Sequence, residues 1–436
     1  MIRHAIKDLM IWKDHEHRKP LMLRGARQVG KSHLAREFGK NFENFIEINF
    51  EENPSYIEFF EGDIVIEKLL LKFEVASGKK VIPQKTLLFL DEIQNCPRAI
   101  IALRYFYEKL PALHIISAGS LLEFTLEEIG IPVGRITSLY LYPMTFMEFL
   151  DAIGESKLKK LLIDHDVKKP LDNSFHDKLL EYIKEYFFVG GMPEAVNSWI
   201  SQKDISTVKN IHNDLIDTFK QDFSKYAKKN QVPYLEKIFT SISLQLGHKF
   251  IFNRVDDSLK TRELRPALEL LEKAQIIKTI HHSSGNGIPL GAEADHSLFK
   301  VIMLDIALTQ TLLGIDIKDI FLNFDQTFIN KGEIAEAFVG QELMAYSNNK
   351  QKSNLYFWQR EKPKSMAEID YLISKNQIIY PIEVKSSESG HLKSLKQFLT
   401  DKKKNNHQGI HISTKNFYST DSIQGIPLYA VFKLLE

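Results

Sequence analysis

The sequence contains almost no cysteine, and this scarcity excludes two kinds of site. Cys96 is the only cysteine among 436 residues. A single cysteine cannot form an intramolecular disulfide, and it cannot supply the several thiolates of a cysteine-based zinc site. This usage fits a reducing compartment, so we expect a cytoplasmic protein in which Cys96 is a packed residue.

Long apolar runs and an excess of charge are missing as well. Charged residues interrupt the chain so often that no apolar run approaches the roughly 20 residues that cross a bilayer, and we expect no membrane partner. Lysine and arginine number 57, and aspartate and glutamate number 56. Any surface that binds DNA must therefore come from local segregation of charge.

The chain contains no sequence repeat or linker-like tract, so domain boundaries have to come from changes in pattern. Within 1–150, short apolar runs alternate with amphipathic segments, which is typical of a parallel α/β sheet. Residues 151–230 have a helical pattern and are expected to form a lid. Residues 231–320 predict two helices and a two-stranded wing, as in a winged-helix domain. Residues 321–436 predict an α/β domain with hairpin spacing.

A glycine-rich segment, Gly25-x4-Gly30-Lys31-Ser32, follows the apolar stretch PLML and opens an amphipathic helix. In this order the glycines let backbone N–H groups surround phosphate oxygens, and the helix N-terminus adds partial positive charge. We expect Lys31 to meet the β- and γ-phosphates of ATP and the Ser32 hydroxyl to ligate Mg²⁺. The alternative is a glycine turn with an exposed lysine. The expected nucleotide-binding residues are Gly25, Arg27, Gln28, Val29, Gly30, Lys31, Ser32 and His33.

An acidic pair follows a second apolar strand. The segment TLLFLDEIQN places Asp91 and Glu92 at the carboxyl end of this strand, the edge at which open α/β sheets bind ligands. We expect Asp91 to hold Mg²⁺ through water and Glu92 to polarise the attacking water. The pair could instead begin a helix, since aspartate is a good N-cap.

Four segments, GARQVGKS, LFLDEIQN, IISAGS and LYPMTFMEF, together resemble the AAA-type ATPases of an archaeal and bacterial family. The carboxyl half of that family is a domain of unknown function, often described as nuclease-like. The segment YFFVGGMPEAV is similar to the family's Gly-Gly-x-Pro segment, so the resemblance covers nearly the whole chain. It implies that Ser120 senses the γ-phosphate and that Arg135 is a candidate arginine finger. The alternatives are a cap or turn residue for Ser120 and a surface turn for Arg135. A finger supplied in trans requires an oligomer or a partner, and we expect a homo-oligomer.

The segment EIDYLISKNQIIYPIEVK predicts a hairpin with Asn376 and Gln377 at its tip. Asp370 and Glu383 lie equally far from this turn, which sets them opposite each other. Cross-strand Cβ atoms are only ~5 Å apart, so the two carboxylates suit one divalent ion, Mg²⁺ or Mn²⁺. Lys385 falls on the same face as Glu383 and would orient a water or neutralise developing charge.

This spacing resembles the PD-(D/E)XK nuclease fold, whose relatives include resolvases of Holliday junctions. The resemblance implies a further acid on the preceding helix, where GEIAEAFVGQEL offers Glu336, and a polar residue on the following helix, where SLKQF offers Gln397. The alternatives are a solvated strand face, or a domain that has kept its shape and lost catalysis. The residues for which the resemblance implies catalytic roles are Glu336, Asp370, Glu383 and Lys385, with the three acids as metal ligands.

One more basic segment bears on DNA. Lys260, Arg262 and Arg265 lie near the start of the expected recognition helix, from which base or phosphate contacts usually come. The same segment carries several acidic residues, so a packing role is equally open.

Together these features predict an ATP-driven, DNA-directed enzyme with three parts. These are an AAA-type ATPase with a helical lid, a winged-helix middle, and a carboxyl-terminal restriction-endonuclease-like domain that cuts branched DNA with a divalent metal. Two alternatives stay open. One is a nucleotide-dependent switch whose nuclease-like domain only binds nucleic acid or a protein, and the other is a regulatory ATPase with no role on DNA.

Overall fold

The chain divides into two compact units. The amino-terminal unit comprises 2–142 and 348–352, and the carboxyl-terminal unit comprises residue 1, 143–347 and 353–436. No described helix is both long and apolar enough to cross a membrane. The computed structural model describes residues 1, 3–130, 134–315, 332–360, 367–385, 392–402 and 408–435.

The amino-terminal unit contains a parallel sheet, as the sequence predicts, and its five strands take the order β2-β3-β4-β1-β5. Its strands are β1 (Leu21–Arg24), β2 (Asn44–Asn49), β3 (Thr86–Asp91), β4 (His114–Ala118) and β5 (Thr137–Tyr140). Its helices are α1 (Ala5–Asp14), α2 (Lys31–Gly39), α3 (Ile66–Ser77), α4 (Pro97–Lys109) and α5 (Leu122–Ile129).

Burial on both faces explains why the strands of this sheet are continuously apolar. Every residue of β3 and β4 is buried, and helices pack against the sheet through an aromatic core. Phe73 lies between Phe60 and Phe106, with ring centroids 6.0 and 6.4 Å away. Each such side chain stabilises the fold by roughly 2–3 kcal/mol on burial. Cys96 is buried in the same core, as expected.

The carboxyl-terminal unit begins with helices, as the pattern beyond residue 145 predicts. A capping box starts the first of them: Glu148 N donates to Thr145 Oγ1 at 3.2 Å, and Thr145 N donates to Glu148 Oε2 at 3.0 Å. The helices are α6 (Phe146–Ala152), α7 (Ser156–Asp164), α8 (Asn173–Val189), α9 (Pro193–Gln202), α10 (Ile205–Tyr226), α11 (Val232–Leu244), α12 (Thr261–Lys273), α13 (Ile306–Leu312), α14 (Gly332–Tyr346) and α15 (Lys393–Asp401).

The strands of this unit form one eight-stranded mixed sheet with the order β12-β13-β11-β10-β9-β8-β6-β7. They are β6 (Ile277–Ser283), β7 (Ala294–Met303), β8 (Leu355–Gln359), β9 (Glu368–Lys375), β10 (Ile378–Val384), β11 (Gly409–Ser413), β12 (Tyr418–Ser419) and β13 (Ile423–Pro427). The predicted wing is present as the antiparallel pair β6 and β7, but β6 also pairs in parallel with β8. The wing strands and the carboxyl-terminal strands therefore share a sheet.

The winged-helix and restriction-endonuclease-like folds stay predictions. The predicted boundary between them, at residue 320, lies outside the described residues.

The Gly-Gly-x-Pro segment has a structural explanation within the same unit. Gly191 N donates to Asp305 Oδ2 at 2.7 Å, and the other carboxylate oxygen accepts from the first turn of α13. A Cβ atom on Gly191 would lie 2.2 Å from the carbonyl oxygen of Met144. The segment therefore needs glycine where two elements meet closely.

Candidate nucleotide site and carboxylate cluster

The loop between β1 and α2 has the backbone that a phosphate-binding loop requires. Gly30, directly before α2, has φ +92°, a conformation that favours glycine. A Cβ atom on Gly25 would lie 2.3 Å from the carbonyl oxygen of Leu141. Gln28 and His33 are exposed on this loop and the helix start, whereas Val29 is buried. The strand, loop and helix thus take the order that the sequence predicts.

Lys31 is held inside this loop. Its Nζ donates to the carbonyl oxygens of Gly25 at 2.9 Å and Ala26 at 2.8 Å, and the residue is buried. Burial lowers the pKa of the Lys31 ammonium to about 8, although the carboxylates of Glu92 and Asp91 oppose the shift. A buried ammonium ion that donates to neutral carbonyls can exchange them for an anion, which is a stronger acceptor.

Asp91 and Ser32, the two predicted magnesium ligands of this site, lie together. Asp91 is the last residue of β3 and is 3% exposed. Burial raises the pKa of the Asp91 carboxyl to about 6, and the hydroxyl of Ser32, which donates to it, opposes the shift. A hydroxyl and a carboxylate at the start of α2 and the end of β3 are oxygen ligands that suit Mg²⁺.

Glu92 is fixed by two neighbours. The side-chain amide of Gln94 donates to Glu92 Oε2 at 2.6 Å, and Ser120 Oγ donates to the same oxygen at 3.4 Å. Gly119 leaves room for this arrangement, because a Cβ atom there would lie 2.0 Å from Gln94 Oε1. The sequence did not lead us to predict a role for Gln94, although its position two residues after Glu92 in LDEIQN could have indicated one.

Arg135 lies beside the amino-terminal ends of the parallel strands, whereas the loop lies beside their carboxyl-terminal ends. Its Nε lies 3.3 Å from Glu108 Oε1, and its side chain is 44% exposed. Arg135 precedes β5, whereas the loop follows β1, and these strands run in parallel. The arginine of one chain therefore does not reach the loop of the same chain.

Arg3 is a second residue that the sequence analysis missed. It is 6% exposed, and its guanidinium donates to the carbonyl oxygens of Val29 at 2.7 Å and Tyr142 at 2.6 Å. It thereby supports the loop from behind. Since Arg3 lies far upstream of the loop and in no motif, the sequence carried no signal for it.

The predicted hairpin is confirmed in the carboxyl-terminal unit. Lys375 pairs with Ile378, and Asn376 and Gln377 form the turn with φ +51° and +63°. The pairing runs to Tyr371 and Ile382, and the same register continued by one residue sets Asp370 opposite Glu383.

Backbone hydrogen bonds and an ion pair position the predicted catalytic side chains of this hairpin. Val384 N donates to Asp370 Oδ2 at 2.7 Å, and Lys385 Nζ lies 2.6 Å from Glu383 Oε1. Glu336 is placed by α14, whose backbone carbonyl at this residue accepts from the Tyr371 hydroxyl at 2.8 Å. Burial raises the pKa of the Glu336 carboxyl, which the Lys300 ammonium opposes, and burial raises that of Glu383 to about 7.

Two further residues join these side chains, and the sequence analysis identified neither. Lys300 comes from β7, and Glu368 begins β9. Lys300 Nζ lies 2.8 Å from Glu336 Oε1 and forms an ion pair with Glu368. Burial acts to lower the pKa of the Lys300 ammonium, but the carboxylates of Glu336, Asp370 and Glu368 together raise it above its ordinary value.

This arrangement does not fit a divalent metal. An ammonium ion already joins two of the carboxylates, and within the described part of the chain no group of three or more His, Cys, Asp and Glu side chains is placed to hold a metal ion. The metal-binding roles of Glu336, Asp370 and Glu383 stay predictions.

The remaining predicted residues have other partners. Gln397 donates to Asp401 at 2.9 Å on the same helix. Arg265 lies over the rings of Phe252 and Phe299, with its guanidinium carbon 5.7 and 6.0 Å from the centroids. Lys260 and Arg262 are exposed. Of the three basic residues, Arg265 therefore has the packing role that the sequence left open.

Three family models match successive parts of the chain. Residues 17–150 match an AAA domain, residues 180–319 a domain of unknown function (DUF8612), and residues 331–431 a second domain of unknown function (DUF4143). The segment that matches the AAA domain includes the loop, the acidic pair, Ser120 and Arg135.

Solved structures are similar only distantly. The Walker-type ATPase PABY2304 of Pyrococcus abyssi is 15% identical, with a TM-score of 0.45 over 71% of this chain and 95% of that one. Drosophila ORC bound to DNA is 13% identical, with a TM-score of 0.28 over 72% and 95%. Unliganded Pif1 from Bacteroides sp. is 12% identical, with a TM-score of 0.22 over 43% and 51%. No curated protein matches the sequence.

Proposed function

We propose that this chain binds ATP with Mg²⁺ at the loop 25–30 and hydrolyses it. The observation that carries the proposal is the convergence of Lys31, Asp91 and Glu92 at one edge of the parallel sheet, each in a different hydrogen-bonded setting. Charge for the phosphates, an oxygen ligand for the metal and a base for water are the parts that phosphoryl transfer to water requires.

Each residue has a distinct role in this proposal. The phosphate oxygens, which are stronger acceptors than carbonyls, draw the Lys31 ammonium from Gly25 and Ala26. Mg²⁺ would neutralise phosphate charge, held by Ser32 directly and by Asp91 through water. Glu92 accepts hydrogen bonds from Gln94 and Ser120 through one oxygen, which leaves its other oxygen to take a proton from the attacking water.

Arg135 acts in a second copy of the chain. Because it lies at the edge of the sheet away from its own loop, it can stabilise the γ-phosphate only in trans, which makes the active form a homo-oligomer. Its ion pair with Glu108 is exposed to solvent, which screens the attraction, so the side chain can leave it at low cost.

ATP turnover by Lys31→Ala tests the proposal, with Lys68→Ala as the control, since Lys68 is an exposed lysine of the same unit. Lys31→Ala is expected to lose ATP binding and hydrolysis, and Lys68→Ala is expected to keep both. Normal turnover by Lys31→Ala would contradict the proposal.

A second candidate function is action on DNA by the carboxyl-terminal domain, with cleavage of branched DNA as its strongest form. The observation that favours it is the register that sets Asp370 opposite Glu383, with Lys385 paired to Glu383. The weaker version of this candidate function is a nucleotide-dependent switch, whose carboxyl-terminal domain binds nucleic acid or a protein without cutting.

Cleavage and binding assays on DNA of several shapes distinguish a nuclease from a switch that only binds. Single-stranded, duplex, flapped and four-way-junction DNA would be incubated with the protein and Mg²⁺ or Mn²⁺, with and without ATP. Cleavage that Glu383→Gln abolishes supports the nuclease. Binding without cleavage, weakened steeply by salt, supports the switch. The absence of any DNA binding at low salt would leave a regulatory ATPase.

A further inference from the structure

Two acidic side chains contact one buried lysine in the carboxyl-terminal unit, and two more lie nearby. Glu336 comes from α14, Glu368 and Asp370 from β9, and Glu383 from β10. The electrostatic field of Asp370 acts on Glu336, Glu383 and Lys300 alike, so the residues form one cluster. Lys300 comes from β7, the edge strand of the sheet and a strand of the predicted wing.

Lys300 has the surroundings of a bound cation. Its side chain is 2% exposed, its ammonium lies 2.8 Å from Glu336 Oε1, and it forms an ion pair with Glu368. The ring of Phe357 closes another side, with its centroid 5.3 Å from Nζ. An unpaired buried ammonium is strongly unfavourable, so these partners hold it in place.

The same position would suit a metal if the lysine were absent. Oε2 of Glu383 is buried and has no hydrogen-bond partner among the described residues, while Glu383 as a whole is 3% exposed. A buried carboxylate oxygen without a donor is costly. Like the oxygens that Lys300 now holds, it is of the ligand type that a hard divalent cation prefers, although as they stand the described side chains place no three of them around one metal ion.

We propose that the Lys300 ammonium ion takes the place of a divalent cation in this cluster, so that the carboxyl-terminal domain binds no metal there. A lysine supplies one fixed positive charge, satisfies two carboxylates and leaves no open coordination position for a water or a phosphate. It offsets part of the negative charge of the cluster and ties β7 to α14 and β9. Of the forms of action on DNA, this favours binding without cutting. The inference is independent of ATP hydrolysis.

Mn²⁺ binding by the full chain without nucleotide tests this, measured from the electron paramagnetic resonance signal of free Mn²⁺. The variants are Lys300→Met, which removes the charge and keeps the length, and the same change combined with Glu383→Gln. Lys278→Met is the matched control, because Lys278 is a second buried lysine on the neighbouring strand, 3.3 Å from Glu272.

In the wild-type protein and in Lys278→Met, no part of the Mn²⁺ binding is expected to depend on Glu383. Lys300→Met is expected to gain one Mn²⁺ with affinity raised more than about tenfold, since a like charge has left the site. Adding Glu383→Gln is expected to remove this gain. Mn²⁺ should also raise the melting temperature of Lys300→Met alone.

Two results would overturn the inference. One is Mn²⁺ binding by the wild-type protein that Glu383→Gln abolishes. The other is a folded Lys300→Met protein that gains no Mn²⁺. If Lys300→Met proves too unstable to purify, the comparison of the wild-type protein with Glu383→Gln decides: equal Mn²⁺ binding supports the inference, and a loss in Glu383→Gln rejects it.

Discussion

The side-chain amide of Gln94 donates a hydrogen bond to Glu92 Oε2 at 2.6 Å and thereby fixes the carboxylate that we propose as the base for ATP hydrolysis. Gln94→Ala should lower kcat for ATP by about tenfold, because the carboxylate is no longer oriented, and leave ATP binding unchanged. Steady-state turnover and equilibrium binding of ATP would check this. A large loss of binding with normal kcat would show that Gln94 supports the loop instead.

Arg135 is predicted to act across a subunit boundary. Arg135→Ala and Lys31→Ala should each be nearly inactive, whereas an equimolar mixture should recover about a quarter of wild-type turnover, because that fraction of interfaces joins two intact residues. Arg104→Ala is the control, since Arg104 pairs with the same Glu108 at 3.0 Å. A mixture that stays inactive after subunit exchange would exclude action in trans.

Arg3 is predicted to stabilise the nucleotide loop. Arg3→Met removes a buried hydrogen bond to Val29, which is worth about 1.5–3 kcal/mol when the donor is charged, so the Kd for ATP should rise about tenfold or more. Arg18→Met is the matched control, because Arg18 also donates to a carbonyl oxygen, that of Ala112 at 2.6 Å. Equal effects of the two changes on ATP binding would contradict a specific role for Arg3.

His212 is predicted to make stability depend on pH. Its Nε2 lies 3.0 Å from the carbonyl oxygen of Val189, and burial lowers the pKa of the imidazole to about 4. The unfolded chain, with a pKa near 6.5, therefore binds the proton first as pH falls, and stability is lost between about pH 6.5 and 4.

Urea unfolding at pH 7.5 and pH 5 measures this effect. The wild-type protein should lose about 2 kcal/mol more unfolding free energy than His212→Gln over this interval. An identical loss in both proteins would show that His212 is not the group responsible.

The nucleotide site could be predicted from the sequence because its parts are contiguous. Gly25 to Gly30 form one loop, Lys31 and Ser32 open the helix that follows it, and the acidic pair follows one apolar strand, so local spacing specifies their geometry. The hairpin was equally local, since the turn at Asn376 determines which residues face each other across it.

Lys300 and Arg3 could not be predicted because tertiary packing brings them to their sites. Lys300 is one of many lysines in the chain, and only the pairing of β7 with β6 and the packing of α14 bring it to Glu336. Arg3 lies ahead of the first strand, and its partner is the backbone carbonyl of Val29. Because every residue type carries such a carbonyl, the sequence does not indicate this contact. The shared sheet escaped prediction for the same reason, because β6 pairs with the distant β8.

The central claim is that the amino-terminal domain hydrolyses ATP with Glu92 as the base. Its most direct test is to measure ATP binding and single-turnover hydrolysis side by side for wild-type protein, Glu92→Gln and Glu67→Gln, an exposed glutamate of the same unit. We predict that all three bind ATP and that Glu92→Gln alone fails to hydrolyse it. Hydrolysis by Glu92→Gln at the wild-type rate would contradict the account.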